Sequence, residues 1–179
     1  MKIAFLFPGQ GSQAIGMGKE FYDSSQEARK LFDSAGEVLG YDIADLCFNG
    51  PTDRLMLTEN AQPALLVHSI IALNMLEENG INAVVAAGHS LGEYSANFAA
   101  GSIEFLDAVR LVQLRGRFMQ KAVPLGIGGM AAIIGMSLDS ISLLCNSVSK
   151  ENFLVQPANI NSQEQIVIAG HLKAVEEVS

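Results

Sequence analysis

Two short apolar runs stand out in the pattern of hydrophobic and polar positions: Ile3 to Phe7 and Ala83 to Ala87. Uninterrupted runs of this length are typical of strands that are buried on both faces. A turn containing glycine follows each run, at Pro8-Gly9 and at Gly88. The pattern therefore predicts two buried strands, each of which ends in a tight turn.

Most other apolar positions in residues 1–125 recur at helical spacing. Ser24 and Glu27 have the spacing of a capping box for a helix that ends at Gly40. Asp42 is the predicted cap of a short helix that ends near Asn49. Three further helices are predicted: Gln62 to Asn79 with Pro63 in its first turn, Leu91 to Ala100, and Ile103 to Ala122 with Ser102 as its cap.

The pattern changes after Pro124 and a cluster of three glycines, Gly126, Gly128 and Gly129, which together indicate a linker. The next segments predict a strand, a helix, two strands and a helix: Met130 to Met136, Leu138 to Ser149, Phe153 to Ala158, Gln165 to Ala169, and a helix from about His171. This β-α-β-β-α order is one strand short of the ferredoxin-like unit.

These elements predict an α/β chain in two parts, residues 1–125 and residues 126–179. The first part has several helices but only two strands, and an apolar two-stranded sheet does not form a core by itself. The second part lacks its closing strand. We therefore expect the chain to be the N-terminal portion of a larger fold, or one chain of a split protein.

Composition narrows the classes of partner. The net charge of −8 and the pI near 4.8 argue against nucleic acid or an anionic membrane. Cys47 and Cys145 lack the spacing of a redox or metal motif, so we expect buried free thiols in a reducing compartment. There is no signal-peptide pattern, and no apolar run reaches about 18 residues. We therefore expect a cytoplasmic protein.

The motif Gly88-His89-Ser90-Leu91-Gly92 contains the candidate chemistry. A serine between two glycines, with a strand before it and a helix after it, is the pattern of a nucleophile elbow. The turn strains the serine backbone and requires glycine two residues to either side. Ser90 is therefore the candidate nucleophile of an acyl-enzyme, and the backbone N–H of Leu91 is a candidate oxyanion donor. Gln10, in the loop after the first strand, is the candidate second donor.

Arg115 indicates which acyl group is transferred. On a helical projection it falls among apolar residues: Ala108, Leu111, Val112, Phe118, Met119 and Ala122. The other cations of this helix, Arg110, Arg117 and Lys121, lie on the opposite side. A guanidinium in an apolar sector is costly unless it pairs with Asp107 or Glu93, or with the carboxylate of a ligand. Serine together with arginine suggests transfer of an acyl group that itself has a carboxylate.

The sequence identifies no general base. His89 is adjacent to Ser90, so its side chain is expected to point elsewhere, and the patterns around His68 and His171 are typical of structural histidines. Two other classes of protein stay open: a serine hydrolase or thioesterase, and a non-catalytic fragment. In the second class Ser90 is an ordinary turn residue.

Residues Gly9 to Ala14 match a second motif, the glycine fingerprint of dinucleotide-binding proteins. That motif requires a second strand that ends in an acidic residue, and Asp33 lies at about the required distance. The segment Gln26 to Phe32, which leads to Asp33, has helical spacing instead. The dinucleotide interpretation is therefore disfavoured.

Three motifs resemble a known family: Phe7-Pro8-Gly9-Gln10-Gly11-Ser12-Gln13, Gly88-His89-Ser90-Leu91-Gly92-Glu93, and Gln113-Leu114-Arg115-Gly116-Arg117 with Phe118-Met119-Gln120. They closely resemble the malonyl-CoA:acyl-carrier-protein transacylases of bacterial fatty-acid synthesis, and the likeness runs along residues 1–179. The resemblance implies an α/β-hydrolase-like large subdomain with an inserted ferredoxin-like small subdomain, both incomplete in this chain.

The resemblance also implies roles for single residues. Ser90 would be malonylated, Arg115 would bind the malonyl carboxylate, and Gln10 and Leu91 would form the oxyanion hole. The implied reaction is ping-pong transfer from coenzyme A to the phosphopantetheine thiol of an acidic acyl carrier protein, with no metal and no tightly bound cofactor. The residues Arg110, Arg117 and Lys121 are then either a contact for that partner or a solvated face. The catalytic histidine of the family lies in a later segment, so a second chain is a possible source of it.

Overall fold

The structure, a computed structural model, describes residues 2–123 and 126–179. The chain divides into two compact units, Met1–Gln120 and Lys121–Ser179. Pro124, which the sequence pattern assigned to a linker, lies outside the described residues. The mixture of helices and strands confirms the predicted α/β class.

The first unit contains a parallel sheet of two strands, β1 (Ala4–Phe7) and β2 (Val85–Gly88). The register pairs Ala4 with Val85 and Phe7 with Gly88. The helices of this part of the chain are α1 (Lys19–Ser24), α2 (Gln26–Leu39), α3 (Ile43–Asn49), α4 (Thr52–Met56), α5 (Thr58–Glu78), α6 (Gly92–Ala99) and α7 (Phe105–Ala122). The sequence pattern predicted all of these except α1 and α4.

Helix α5 is the centre of the core of the first unit. Most of its residues from Asn60 to Leu73 are buried, because the helix is apolar on nearly every side and other helices surround it. Phe32 of α2, Leu46 of α3 and Leu55 of α4 are fully buried in the same cluster. The core of the first unit is therefore built around α5.

The two strands of the first unit are less buried than the sequence predicted. Phe7 packs against Leu73 and Ala96, but Leu6 is 78% exposed and Val85 is also exposed. Side chains alternate along each strand, so one face of the sheet contacts helices and the other face is open in residues 2–123. A strand is buried on both faces only where a layer covers each face. In residues 2–123 the prediction of buried strands therefore holds for one face of the sheet only.

The cap of α2 is Ser25 and not Ser24. The Ser25 Oγ accepts a hydrogen bond from the Ala28 N–H at 3.2 Å, whereas Ser24 is the last residue of α1 and its Oγ donates to the Glu20 carbonyl. Ser25 has extended backbone angles between two helices, which is the geometry that a cap requires. The predicted capping box is therefore wrong by one residue, because α1 was not predicted.

Two other helix starts also differ from the prediction. Helix α5 begins at Thr58, so Pro63 lies inside the helix and not in its first turn. Helix α7 begins at Phe105, three residues after Ser102, so Ser102 is not its cap. The predicted cap of α3 is confirmed, since the Asp42 carboxylate accepts from the Asp45 N–H at 2.8 Å.

The second unit has the predicted β-α-β-β-α order: β3 (Gly128–Ile134), α8 (Leu138–Val148), β4 (Val155–Ile160), β5 (Gln165–His171) and α9 (Leu172–Val178). The sheet is antiparallel with the strand order β3-β5-β4. Helices α8 and α9 pack on it around a core of Ile141, Val155, Ile166, Ile168 and Val175. Gly128 and Gly129, assigned by their composition to a linker, lie in β3 instead, where the pairing with β5 determines their conformation.

Both cysteines are buried and free, as predicted. Burial raises the pKa of the Cys47 thiol to about 12 and also raises the pKa of Cys145, so both thiols are neutral at physiological pH. None of the helices in residues 2–123 and 126–179 is both long enough and apolar enough to span a membrane.

The cap of α2 gives a test of the fold. Ser25→Ala is expected to lower the free energy of unfolding by about 1 kcal/mol, because one N–H in the first turn of the helix loses its acceptor. Ser24→Ala is the matched control and is expected to have a smaller effect. Urea denaturation of the two variants measures the difference, and a larger loss for Ser24→Ala would contradict the assignment.

Candidate active site

The candidate site lies at the carboxyl edge of the β1-β2 sheet. Because the strands are parallel, the loop after Phe7 and the loop after Gly88 leave the sheet at the same edge. The His89 N–H donates to the Phe7 carbonyl at 3.1 Å, which continues the contact between the strands for one more residue. The loop that contains Gln10 and the turn that contains Ser90 are therefore neighbours.

Ser90 has the backbone conformation of a nucleophile elbow. Its φ is 54°, a left-handed value that is uncommon for a residue other than glycine. A Cβ atom on Gly88 would lie 1.9 Å from the Gly92 carbonyl carbon, and one on Gly92 would lie 2.2 Å from the Phe7 carbonyl oxygen. No side chain fits at either position. The elbow geometry predicted from the spacing of the two glycines is thus present.

The backbone at Leu91 is arranged as a possible anion site. Leu91 precedes α6 as its N-cap residue, and its side chain is buried in the core. Among the described residues, the Leu91 N–H donates to no other group. The N-terminus of α6 adds a partial positive charge beside Ser90. A negative charge that develops on a substrate oxygen at Ser90 would be stabilised there.

The guanidinium of Arg115 lies next to the Ser90 hydroxyl. Its Nη2 donates to Ser90 Oγ at 2.9 Å, and its Nη1 donates to Gln62 Oε1 at 2.6 Å. The guanidinium also lies 5.9 Å from the centroid of the Tyr94 ring. The sequence pattern placed Ser90 in the turn before one helix and Arg115 within the next helix. The structure brings the two side chains into contact.

Neither of the protein partners considered for Arg115 pairs with it. Asp107 forms an ion pair with Arg110 at 2.9 Å. Within residues 2–123 and 126–179, neither Glu93 nor any other carboxylate lies within ion-pair distance of Arg115. The positive charge of Arg115 is therefore hydrogen-bonded to neutral groups and remains available to an anionic ligand.

The apolar sector that the sequence suggested for α7 is only partly buried: Ala108 and Val112 are buried, and its other four residues are exposed. Phe118 is 67% exposed, and Leu111 and Met119 are also exposed. The residues that are buried are Ala108, Val109, Val112, Gln113 and Gly116. A Cβ on Gly116 would lie 2.6 Å from the Glu59 Cα atom, so α7 approaches the start of α5 closely at Gly116. Arg115 is adjacent to this contact, which directs it toward Gln62 and Ser90.

Two polar side chains of α5, Gln62 and Thr58, also belong to the site, although no motif in the sequence indicated them. Gln62 is fully buried, and its Nε2 donates to Thr58 Oγ1 at 2.9 Å. Thr58 Oγ1 donates to Gln10 Oε1 at 2.7 Å. A signal was present in the sequence, because Gln62 is a polar residue next to a long apolar run and buried polar groups need partners.

His68 and His171 are structural residues, as predicted. The His68 ring stacks on Phe21 with 5.4 Å between centroids, and burial lowers its pKa. His171 is the N-cap residue of α9, and its ring stacks on Phe153 at 5.5 Å. His89 Nδ1 lies 2.7 Å from the position of a Cβ on Gly9, so the His89 ring packs against the loop after β1.

The dinucleotide interpretation is not supported. Asp33 lies in the middle of α2 and does not end a strand. The strand that pairs with β1 is formed by Val85–Gly88. Within the part of the chain that the structure describes, no group of three or more His, Cys, Asp or Glu side chains is arranged to bind a metal.

Comparison with known proteins gives one family match. The profile of a family described as an acyl transferase domain matches residues 4–179. The chain is 53% identical over 178 residues to the malonyl CoA-acyl carrier protein transacylase of Bacillus subtilis (strain 168), which covers 99% of this chain and 56% of that protein. It is 41% identical over 177 residues to the protein of the same name in Staphylococcus aureus (strain MRSA252). That match covers 99% of this chain and 57% of the S. aureus protein. The chain thus spans a little over half the length of these relatives.

Solved structures give the same result. The malonyl CoA-acyl carrier protein transacylase of Coxiella burnetii has a TM-score of 0.93 and 43% identity, covering 99% of this chain and 56% of that one. A malonyl-transacylase in complex with a holo type II PKS acyl-carrier protein has a TM-score of 0.92 and 44% identity. The match covers 99% of this chain and 58% of that chain. These comparisons confirm the resemblance that three short motifs indicated.

The close packing at the elbow gives a test of the site. Gly92→Ala is expected to destabilise the protein by more than Gly101→Ala, which places a side chain at φ +68° but in open space. The control should cost roughly 1–2 kcal/mol, the penalty of a left-handed residue. Thermal melts of both variants measure the difference. Equal melting temperatures would show that the backbone contact between Gly92 and Phe7 is not tight.

Proposed function

Because the chain belongs to the acyl transferase family, we propose that it transfers a malonyl group from coenzyme A to the phosphopantetheine thiol of an acyl carrier protein. The observation that supports this most directly is the Arg115 guanidinium 2.9 Å from Ser90 Oγ, with no carboxylate partner in residues 2–123 and 126–179. A serine nucleophile beside an arginine without an ion pair suits an acyl group that ends in a carboxylate. Curated relatives of the chain are named for this activity.

The proposed reaction has two half-reactions through one covalent intermediate. In the first, Ser90 Oγ attacks the thioester carbonyl, the C–S bond breaks, and the coenzyme A thiol leaves with a proton. In the second, the thiol of the carrier protein attacks the malonyl ester of Ser90, and the serine recovers its proton as the C–O bond breaks. Each half-reaction passes through a tetrahedral oxyanion, for which the Leu91 N–H and Gln10, in the loop after β1, are the proposed donors.

Arg115 is the proposed site for the malonyl carboxylate. Its guanidinium presents donors in a planar fork, the geometry that binds a carboxylate through two hydrogen bonds. In the free protein one of these donors is bonded to Ser90 Oγ and another to Gln62 Oε1. Binding of the carboxylate would replace the bond to Ser90 and release the hydroxyl for attack.

A general base must accept the proton of Ser90, and we propose that it comes from a segment outside this chain. The family resemblance assigns that role to a histidine in a later segment. The open face of the β1-β2 sheet, with Leu6 exposed, supports the need for a further layer. The source is either a continuation of the polypeptide or a second chain.

We propose the same completion for the fold: residues 1–125 as part of an α/β-hydrolase-like large subdomain, and residues 126–179 as a ferredoxin-like small subdomain inserted into it. The strand order β3-β5-β4 is that of a ferredoxin-like sheet without its last strand, which would pair with the free edge of β3. Each part would then gain strands that it lacks here.

The proposed partners are malonyl-CoA and an acyl carrier protein in the cytoplasm, with no tightly bound cofactor. A solved relative of 44% identity is bound to a carrier protein. Of the cations suggested as a contact surface, Arg110 pairs with Asp107 at 2.9 Å and Arg117 lies 4.0 Å from Glu59. These charges are partly neutralised, which favours a solvated face over a docking surface.

Acylation of Ser90 is the first test of the proposal. Incubation with malonyl-CoA is expected to add one malonyl mass to the protein when the segment that supplies the base is present, and none to Ser90→Ala. Intact-mass spectrometry measures the adduct, with Ser102→Ala as the control for loss of a serine. An adduct that persists in Ser90→Ala would refute the assignment of Ser90 as the nucleophile. So would the absence of an adduct from the completed wild-type protein, which is this chain together with the segment that supplies the base. Malonate released without a carrier thioester would indicate a hydrolase.

Selectivity between acyl groups tests the arginine. Arg115→Ala is expected to reduce malonyl transfer by about 2–5 kcal/mol in transition-state stabilisation, as for loss of one partner of a buried charge pair, and acetyl transfer by much less. The two kcat/KM values are compared in the completed protein, with Arg117→Ala as the control. The carboxylate assignment fails if both acyl groups lose activity equally.

A further inference from the structure

The Arg115 guanidinium is held from behind by Gln62, a fully buried side chain of α5. Gln62 Oε1 accepts a hydrogen bond from Arg115 Nη1 at 2.6 Å. Gln62 Nε2 donates to Thr58 Oγ1 at 2.9 Å and to Met119 Sδ at 3.3 Å. Both ends of the Gln62 amide therefore have partners, and the amide links the arginine to the interior of the protein.

The chemistry of these partners permits one orientation of the Gln62 amide. An arginine can only donate, so the side-chain oxygen of Gln62 must face Arg115. The Thr58 hydroxyl gives its single proton to Gln10 Oε1, so it presents a lone pair to Gln62, and a thioether sulfur can only accept. A rotated amide would place its nitrogen against the arginine donor and its oxygen against two acceptors. Gln62 thus presents a fixed, neutral acceptor to Arg115.

A long side chain such as Arg115 needs a fixed acceptor if it is to hold one conformation. Arginine has many rotamers, and the entropy of ordering them is subtracted from ligand binding unless it is lost when the protein folds. The other contacts of the guanidinium are Ser90 Oγ at 2.9 Å and the Tyr94 ring at 5.9 Å. When a carboxylate replaces the bond to Ser90, the bond to Gln62 remains. It therefore keeps the guanidinium in place while the serine reacts.

The neutrality of the acceptor matters as much as its position. A carboxylate in place of the Gln62 amide would bind the guanidinium more strongly, through a charge-assisted hydrogen bond. It would also compensate the positive charge and repel the carboxylate of an incoming acyl group. Two nearby carboxylates pair with other arginines, Asp107 with Arg110 and Glu59 with Arg117. An amide at position 62 holds the arginine without cancelling its charge.

We propose that Gln62 is a positioning residue that determines specificity for a carboxylated acyl group, because its amide fixes Arg115 and leaves the charge of the guanidinium uncompensated. The inference rests on the proposed function, since Arg115 has a carboxylate to bind only if the acyl group is malonyl. Because its side chain is fully buried, Gln62 acts through Arg115 and not on the substrate itself.

Gln62→Glu tests the charge alone, since glutamate and glutamine have nearly the same shape. In the completed protein we expect kcat/KM for malonyl-CoA to fall about 100-fold, because the new carboxylate pairs with Arg115 and opposes the malonyl carboxylate. The value for acetyl-CoA, which has no carboxylate, should change much less. The ratio of the two values does not depend on the fraction of folded protein, so a loss of stability cannot imitate this result.

Gln62→Met tests the hydrogen bond without adding a charge. It keeps an unbranched side chain of similar size but has no amide oxygen for Arg115. We expect kcat/KM for malonyl-CoA to fall about 10-fold, the effect of losing one hydrogen bond to a charged group. The malonyl-to-acetyl ratio should therefore fall less than in Gln62→Glu. Equal ratios in the two variants would show that the neutral charge of Gln62 is not a determinant, and the inference would fail.

Gln26→Glu is the control for one added negative charge. Gln26 is exposed at the first residue of α2, so its substitution should leave the malonyl-to-acetyl ratio at the wild-type value. A fall in this variant equal to that in Gln62→Glu would show that net charge, and not the contact with Arg115, sets the ratio. That result would also overturn the inference.

Binding without turnover gives a second measurement. The Ser90→Ala protein has no nucleophile, so isothermal titration calorimetry can measure the Kd of malonyl-CoA and of acetyl-CoA. Adding Gln62→Glu to this background should weaken the binding of malonyl-CoA and leave that of acetyl-CoA unchanged. The inference is wrong if the Kd of malonyl-CoA is the same with and without Gln62→Glu.

The outcomes separate this inference from the proposed function. If Arg115→Ala loses the preference for malonyl while Gln62→Glu retains it, the role of Gln62 is wrong and the proposed function stands. If the completed wild-type protein forms no adduct on Ser90, or transfers malonyl no better than acetyl, the proposed function itself fails.

Discussion

The close approach of three backbone segments, the end of β1, the end of β2 and the start of α6, is the constraint on which the site depends. A Cβ on Gly88 or Gly92 would overlap neighbouring backbone atoms, at 1.9 Å and 2.2 Å. The approach forces Ser90 into a left-handed conformation, which costs of order 1–3 kcal/mol and must be offset elsewhere in the fold. Burial of Leu91 against the α5 core is part of that offset. The strained serine, the loop with Gln10 and the N-terminus of α6 are all positioned by this one contact.

A second contact, between α7 and the start of α5, determines the electrostatics of the site. Gly116 lets the helices approach closely, and the adjacent Arg115 then reaches both Gln62 and Ser90. The protein has a net charge of −8, so a guanidinium bonded only to neutral groups is a local exception to its overall field. Because neutral partners leave that charge uncompensated, the site remains attractive to an anionic acyl group. Hydrogen bonds from Gln62 to Thr58 and from Thr58 to Gln10 connect this contact to the loop after β1.

Local features were predicted from the sequence where one or two neighbouring residues decide the geometry. The two glycines that flank Ser90 predicted the elbow, and Asp42 predicted the start of α3. Predictions failed where a distant element decides. Serine is a residue type that is favoured at helix N-termini, so Ser24 was a reasonable candidate, but the bend between α1 and α2 places Ser25 at the N-cap position of α2. The apolar sector of α7 was assigned from hydrophobicity, whereas the buried face of the helix also includes Val109, Gln113 and Gly116, and Gly116 contacts the start of α5.

The sequence by itself determined the α/β class, the order of strands and helices apart from α1 and α4, the elbow at Ser90 and the family resemblance, because each depends on residues close together along the chain. It also indicated that Arg115 needs an anionic or polar partner. Only the tertiary structure decided which partner that is, since Ser90, Gln62 and Arg115 lie on three different elements. The link from Thr58 to Gln10 likewise spans 48 residues, and a side-chain hydrogen bond at that separation has no periodicity that a sequence pattern can reveal.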